Sequence, residues 1–173
     1  REQVKSRDKK CVDNVGVAHN LETQNEDLVN CIINSINIGR TDKFDLEYIN
    51  GGYYITNLNT SNETQLEIPE TYNNKDIVGI KSLTRDINMS GNNSYHSEIT
   101  KIIIPNTIKE ISDYAFYGMS NLQTVEFKSG SSLTSIGEGA FRKCTALQSF
   151  VIGNNVASVG PGAFSGCQNL REI

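Results

Sequence analysis

The 173-residue chain is poor in the patterns that mark membrane spans and metal sites. No run approaches about 18 consecutive apolar residues, so we expect no segment to cross a bilayer as a helix. The two histidines, His19 and His96, lie far apart in polar stretches, and the four cysteines form no C-x-x-C. Zinc sites are built from close spacings of cysteine and histidine, so we expect no metal ion and no cofactor.

Catalytic patterns are also missing. The glycine-rich segments GEGAF (137–141) and GPGAF (160–164) contain neither of the spacings that cradle phosphate groups. Cys11 or Cys31 could be paired with His19 as nucleophile and base, but the sequence supplies no orienting third group. We therefore predict that the chain is not an enzyme.

The composition predicts a folded chain with no electrostatic preference for polyanions. It is 37% hydrophobic and 21% charged, and its net charge of −4 does not favour nucleic acid or an anionic membrane. The basic start, REQVKSRDKK, lies in residues 1–22, which we expect to be a polar tail. The chain begins with Arg1 rather than Met, and we expect that any targeting segment has been removed.

An internal repeat dominates the second half of the chain. Its units start at Ile99, Leu122, Leu147 and Leu170, and the interval from Leu122 to Leu147 is slightly longer than the other two. Apolar residues recur at the first, fourth and sixth positions, then at two later positions, and finally in an Ala-Phe pair. The recurring sets are Ile99, Ile102, Ile104, Ile108, Ile111, Ala115 and Phe116; Leu122, Val125, Phe127, Leu133, Ile136, Ala140 and Phe141; and Leu147, Phe150, Ile152, Val156, Val159, Ala163 and Phe164.

This periodicity predicts a solenoid, because one unit is too small to bury its apolar residues and stacked units bury them together. The predicted coils are 99–121, 122–146 and 147–169, and 170–173 opens a fourth coil that we expect the parent protein to continue. Alternating apolar residues at the fourth and sixth positions predict a short strand in each coil. The fold class is therefore a repeat solenoid of short strands and turns, with about 23 residues per coil.

The repeated unit resembles the BspA-type leucine-rich repeat of bacterial surface proteins. Its signature is a strand, then V-x-x-I-G, then A-F-x-x-C-x-x-L, and residues 99–173 carry it throughout. The preceding stretch, 61–98, resembles a degenerate first repeat. There, Leu66 and Ile68 align with Ile102 and Ile104, Ile77 and Ile80 align with Ile108 and Ile111, and an insertion at 84–97 interrupts the period.

Residues 23–60 are predicted to form a cap on the first coil. Apolar residues share one face over 23–39, which predicts an amphipathic helix that Gly39 would end. Asn50-Gly51 lies between two strand-like runs in 44–58 and predicts a β-hairpin. Solenoids expose an apolar face at their first coil, which terminal elements commonly cover. A small independent domain is the alternative interpretation.

The cysteines divide into two sets. Cys144 and Cys167 occupy the repeat position that Met119 takes in the first coil, which favours packing over chemistry, and the resemblance implies buried, unpaired thiols there. Cys11 and Cys31 lie outside the repeats, and the sequence leaves open whether they form a disulfide. Gly139 and Gly162 precede the Ala-Phe pairs and are predicted to lie at tight corners with positive φ.

The predicted function follows from the outward residues of the strands, since the core positions repeat while these positions vary. The candidate binding residues are Lys101, Ile103, Thr124, Glu126, Ser149, Val151 and Arg171. A mixed, partly apolar stripe of this kind suits a protein partner. The resemblance implies a secreted or cell-surface adhesion module that binds a host matrix or cell-surface protein. The alternative is a structural spacer that presents other domains of a longer protein.

Overall fold

The computed structural model describes residues 10–12, 18–20, 38–41, 43–59, 62–83 and 98–173. Within these residues the chain is rich in strands and contains no helix. The strands are β1 (Lys10–Val12), β2 (Ala18–Asn20), β3 (Ile38–Arg40), β4 (Phe44–Ile49), β5 (Gly52–Leu58), β6 (Gln65–Glu67), β7 (Thr71–Tyr72), β8 (Lys75–Ile80), β9 (Lys101–Ile104), β10 (Glu110–Ile111), β11 (Thr124–Phe127), β12 (Ser135–Ile136) and β13 (Ser158–Val159).

Two sheets run along the stack of coils. The long sheet has the order β13-β12-β10-β8-β5-β4-β3, with β7 attached to β8. It is parallel from β13 to β5 and antiparallel from β5 to β3. The short sheet is parallel, with the order β11-β9-β6. Single bridges from Thr124 to Ser149 and from Ser149 to Glu172 continue it into the later coils.

The three predicted coils, which we number coil 1 (99–121), coil 2 (122–146) and coil 3 (147–169), stack in register. Coil 1 supplies β9 and β10, and coil 2 supplies β11 and β12 at the same repeat positions. Ile102 therefore lies beside Val125, and Ile111 lies beside Ile136. Because side chains alternate along a strand, these apolar residues point inward together and form one continuous core.

The Ala-Phe pairs form an aromatic ladder inside the stack. Phe116 and Phe141 are fully buried, with ring centroids 4.7 Å apart and planes 7° from parallel. Phe141 and Phe164 follow at 5.4 Å and 2°. The prediction that each phenylalanine packs on its equivalent in the next coil is confirmed. Such stacking adds about 0.5–1.5 kcal/mol per pair beyond the area buried.

Left-handed corners precede the Ala-Phe pairs, as predicted. Gly139 has φ 56° and Gly162 has φ 62°. In coil 1 the same position is Tyr114, which adopts φ 57° although it has a side chain. A non-glycine residue in this region carries a cost of about 1–2 kcal/mol, so the corner is imposed by the coil and glycine relieves it in the later copies.

The alignment of the degenerate repeat with coil 1 is confirmed by strand pairing. Leu66 in β6 lies in register with Ile102, and Ile80 in β8 lies in register with Ile111. The extra residues between these two strands form the hairpin of β7 and β8, which turns at Asn73-Asn74 with φ of 48° and 57°. The insertion predicted at 84–97 lies outside the described residues.

The hairpin predicted in 44–58 is confirmed. β4 and β5 pair antiparallel around Asn50-Gly51, whose φ values of 48° and 95° are those of a turn with both central residues left-handed. β5 then pairs parallel with β8, so the hairpin extends the long sheet past the first repeat. That it acts as a cap stays a prediction.

The N-terminal predictions are only partly covered by the described residues. Residues 23–37 of the predicted helix lie outside them. Ile38–Arg40 form β3 and pair with β4, so the predicted range of 23–39 extends too far, and Gly39 belongs to a strand. Within the predicted polar tail, β1 and β2 pair antiparallel, so this segment contains secondary structure where only a tail was expected.

Candidate binding face

The outward positions of the short sheet line up across the coils, and we call this surface the strand face. One row runs through Lys101, Thr124, Ser149 and Glu172, which strand pairing and single bridges place side by side. A second row holds Ile103 beside Glu126, followed by Val151 in coil 3. Six of the seven predicted binding residues therefore lie in these two rows.

Arg171 is the exception, and its assignment to the row is corrected. Ser149 forms its bridge with Glu172, the third residue of the fourth coil, whereas Arg171 is the second. Arg171 therefore corresponds to Gln148, and each lies directly before the residue that forms the bridge. Counting from Leu170 as from Leu147 would have identified Glu172 from the sequence.

The strand face also extends further toward the N-terminus than predicted. β6 pairs with β9 so that Gln65 lies beside Lys101 and Glu67 lies beside Ile103. Gln65 and Glu67 are both exposed, whereas Leu66 between them is buried. The alignment of Leu66 with Ile102 contained this information, because the outward residues flank the aligned one.

Ion pairs bridge the strands on this face. The Lys101 Nζ lies 2.6 Å from a carboxylate oxygen of Glu126, and the Lys128 Nζ lies 2.9 Å from Glu67 and 3.3 Å from Glu70. The hydrogen bond from Lys128 lowers the pKa of the Glu67 carboxyl, and Glu67 and Glu70 raise the pKa of Lys128. These groups are exposed, so the pairs organise the face more than they stabilise the fold.

A groove opens in the strand face between coil 2 and coil 3. It encloses about 400 Å³ and is lined by Thr124, Val125, Glu126, Phe127, Ser131, Leu133, Val151 and Gly153. Val125 and Leu133 are buried, Phe127 is half-buried, and Val151 has 76% of its surface exposed. Sequence reasoning did not find this groove, although the longer interval from Leu122 to Leu147 was a signal of irregularity there.

The repeat cysteines belong to the core. Cys144 and Cys167 are free thiols, and they donate to the carbonyl oxygens of Phe116 and Phe141 at 3.2 and 3.1 Å. Burial raises the pKa of both thiols, so neither is a ready nucleophile at neutral pH. Met119 is buried at the same repeat position. Both thiols are unpaired, as the resemblance implies, but only Cys144 is fully buried, whereas Cys167 is half-buried against the core.

The N-terminal cysteines remain a separate question. Register places Cys11 opposite His19 in β1 and β2. Cys31 lies outside the described residues, so its predicted alternatives, a disulfide with Cys11 or a free thiol, stay predictions. Among the described residues no cluster of three or more histidines, cysteines and carboxylates could hold a metal ion. In the same part of the chain no helix has the length and hydrophobicity of a bilayer span.

Comparison with known protein families decides the nature of the repeat. The family model described as the BspA type leucine rich repeat region (6 copies) matches residues 88–173. Residues 88–173 are a BspA-type leucine-rich repeat region. The resemblance carried by the A-F-x-x-C signature is thereby confirmed, and the repeat region provides most of the strand face. No curated protein sequence matches the chain significantly.

Solved structures share the fold of the repeat region. A leucine-rich repeat protein from Bacteroides capillosus aligns over 71% of this chain and 87% of its own, with a TM-score of 0.56 and 20% identity. A leucine rich cell surface protein from Faecalibacterium prausnitzii aligns over 78% of this chain and 41% of its own, with a TM-score of 0.57 and 23% identity. The pneumococcal vaccine antigen PcpA aligns over 78% of this chain and 37% of its own, with a TM-score of 0.62 and 20% identity.

At these sequence identities the comparisons support a common fold, but not a common ligand or role. The chain spans less than half the length of the Faecalibacterium and pneumococcal proteins that it matches. It spans most of the Bacteroides protein. The fold is therefore found both in short chains and as one part of longer ones.

Proposed function

We propose that the chain is a non-catalytic protein-binding module of a secreted or cell-surface protein, and that the strand face is its contact surface. Leucine-rich repeats generally mediate protein interactions, and the family and fold of this chain are of that kind. The binding residues are Lys101, Ile103, Thr124, Glu126, Ser149 and Val151, with Glu172 in place of Arg171.

The alignment of varied outward residues over a uniform core carries this proposal. Inward positions of the strands are isoleucine, valine or phenylalanine in each coil, whereas the row outside them reads Lys101, Thr124, Ser149 and Glu172. A face whose side chains differ while its backbone spacing is constant can match one particular partner. The exposed Val151 adds apolar area of the kind found at the centre of interfaces.

The surface location is supported by the relatives. One protein with this fold is named a cell surface protein, and another is a vaccine antigen. We extend that location to this chain, and we take a host matrix or cell-surface protein as the partner class to test first.

The test is binding of the purified chain to an array of extracellular-matrix and cell-surface proteins, measured by surface plasmon resonance. A partner found there should lose most of its affinity when Lys101, Thr124 and Glu126 are all changed to alanine. The matched control changes Lys109, Glu110 and Thr134, which have the same three side-chain types, on the side of the long sheet. Equal losses in both variants, or no partner on the array, would reject the strand face as an adhesive surface.

A spacer role is the second candidate, and the lengths of the relatives favour it. The chain matches only 41% and 37% of two longer proteins, in which a repeat stack could present other domains. In that case the chain alone would bind nothing on the array, and fusion to a neighbouring domain would change that domain's accessibility without adding affinity.

A further inference from the structure

The groove in the strand face lies beside the loop in which the coils differ in length. Coil 2 is longer than coils 1 and 3 by two residues. The two additional residues lie in 128–132, between Phe127 and Leu133, where Gly130 has φ 77°. In coils 1 and 3, only three residues separate the equivalent apolar positions. Within residues 122–153, coil 2 and coil 3 separate at this point, since their pairing in the short sheet is limited to the bridge from Thr124 to Ser149.

The separation leaves part of a strand edge unpaired. The Lys128 N–H donates to the Ile104 carbonyl at 2.9 Å, on the β9 side. Neighbouring residues in a strand direct their backbone groups to opposite edges, so those of Phe127 face coil 3. Within residues 98–173, however, no backbone hydrogen bond joins Phe127 to 151–153. The unpaired N–H and C=O groups of such an edge can form hydrogen bonds with the main chain of an extended peptide segment.

The floor of the groove selects for an apolar side chain. Val125, Phe127 and Leu133 line it, and Val151 stands at its rim as the most exposed large hydrophobic residue of the described chain. Its volume of about 400 Å³ lies within the range of roughly 300–1,000 Å³ that ligand pockets occupy. One large aliphatic or aromatic side chain would therefore be shielded from water there.

Around the groove, carboxylates outnumber cations by one. Glu126 is the one ionisable residue among those that line it, and its carboxylate already accepts from Lys101 at 2.6 Å. On the strand face and its flanks, four carboxylates (Glu67, Glu70, Glu126 and Glu172) stand against three cations (Lys101, Lys128 and Arg171). The whole chain carries −4. A cationic group on the occupant complements this arrangement.

We propose that the groove is the anchor pocket of the strand face, and that it takes an extended segment of a partner protein whose large apolar side chain is flanked by lysine or arginine. This inference rests on the proposed function and names the chemistry of the partner at one place in that face. The unpaired edge of Phe127 binds the main chain, the apolar floor holds the side chain, and Glu126 attracts the flanking cation.

The probe is the peptide acetyl-Thr-Lys-Phe-Lys-Thr-amide, added to the ¹⁵N-labelled full chain and followed by NMR. Chemical-shift changes are expected at Phe127, Val151 and Gly153. The same peptide with alanine in place of phenylalanine should bind at least about tenfold more weakly, because the anchor is lost. A peptide with glutamate in place of both lysines should also bind more weakly, and the difference should shrink at high salt.

A groove-filling variant gives the sharpest test. A Cβ at Gly153 would meet no atom within 4 Å, so Gly153→Leu should fold and occupy the groove. It should weaken binding of the phenylalanine peptide at least about tenfold. Asn154→Leu adds the same side chain one residue further on, outside the groove lining, and should leave binding unchanged. If Gly153→Leu does not fold, Val151→Ser at the exposed rim should weaken binding about threefold.

The outcomes separate this inference from the proposed function. Peptide binding that Gly153→Leu and Val151→Ser leave intact would overturn the anchor pocket, as would binding of N-acetylphenylalanine amide as tightly as the peptide. No binding at millimolar peptide would overturn it too. In each case the protein array and the strand-face variants still decide the proposed function independently.

Discussion

The strand pairing at the junction between coils 1 and 2 differs from that between coils 2 and 3 on one side of the molecule only. At the first junction, β9 and β11 pair over four residues and β10 pairs with β12. At the second, the short sheet is reduced to a single bridge at Thr124, while β12 and β13 still pair. The long sheet and the aromatic ladder therefore maintain the stack, and the short sheet can open where the loop is longer.

Burial also falls from the first junction to the second. Phe116 and Phe141 are fully buried, whereas Phe164 in coil 3 is half-buried, and Val159 in β13 has 44% of its surface exposed where Ile136 in β12 has 2%. Each coil is covered by the next, so interior copies of a repeat contribute more to stability than the last copy described. Substitutions at equivalent positions measure this gradient directly.

The largest effect is expected in the aromatic ladder. Phe141→Ala removes a fully buried ring that stacks on two others and should lower the free energy of unfolding by about 3–5 kcal/mol. Phe164→Ala, at the half-buried end, should cost roughly 1–2 kcal/mol because less apolar area is lost. Urea unfolding followed by circular dichroism gives both values. Equal losses of stability in the two variants would mean that the contribution of a phenylalanine does not depend on its place in the ladder.

The corner glycines should show a smaller difference. Gly162→Ala forces a Cβ into the left-handed region and should cost about 1–2 kcal/mol, since its nearest new contact is the Ser165 Cβ at 3.6 Å. Gly139→Ala should cost about 1 kcal/mol more, because its Cβ would lie 2.5 Å from the Tyr114 ring. The displaced ring would lose its hydrogen bond to Glu138. The same unfolding assay applies, and a larger cost at Gly162 would contradict the expectation.

The two repeat thiols should differ in reactivity. Iodoacetamide should alkylate half-buried Cys167 at least about tenfold faster than fully buried Cys144, a difference of about 1.4 kcal/mol in activation free energy. Chymotryptic cleavage after Phe150 and Phe164 places the two cysteines in separate peptides for mass spectrometry. In denaturant the rates should converge, and a difference that persists there would not come from burial.

The smallest effect on stability is expected from the loop that opens the groove. Deleting Ser129 and Gly130 gives coil 2 the length of its neighbours and should let Glu126 pair with Val151, changing the free energy of unfolding by less than about 1 kcal/mol. The sensitive readout is hydrogen exchange: the Val151 amide should exchange more slowly, while that of Val159 in β13 should not change. The deletion should also abolish peptide binding in the groove. Unchanged exchange at Val151 would show that the loop does not cause the separation.

The stack could be predicted from the sequence because its information is local and repeated. A nearly constant repeat length places each apolar position above its equivalent, and only one register satisfies every copy at once. The aromatic ladder, the unpaired repeat cysteines, the left-handed glycines and the Asn50-Gly51 hairpin all followed from it or from short turn rules. The misplaced Arg171 was an error of counting rather than missing information.

The surface depended on contacts that no local pattern records. Lys128 pairs with Glu67 and Glu70, which lie far from it along the chain, because coils separated in sequence lie side by side. The groove could not be predicted from the length of coil 2 alone, because the same two additional residues could have formed an outward loop without separating the strands. Its prediction requires the backbone paths of coil 2 and coil 3. The sequence by itself determined which residues face the core, because burying them is the main driving force of folding. Only the tertiary structure decided how the outward residues meet, because their neighbours are set by the exact offset between coils.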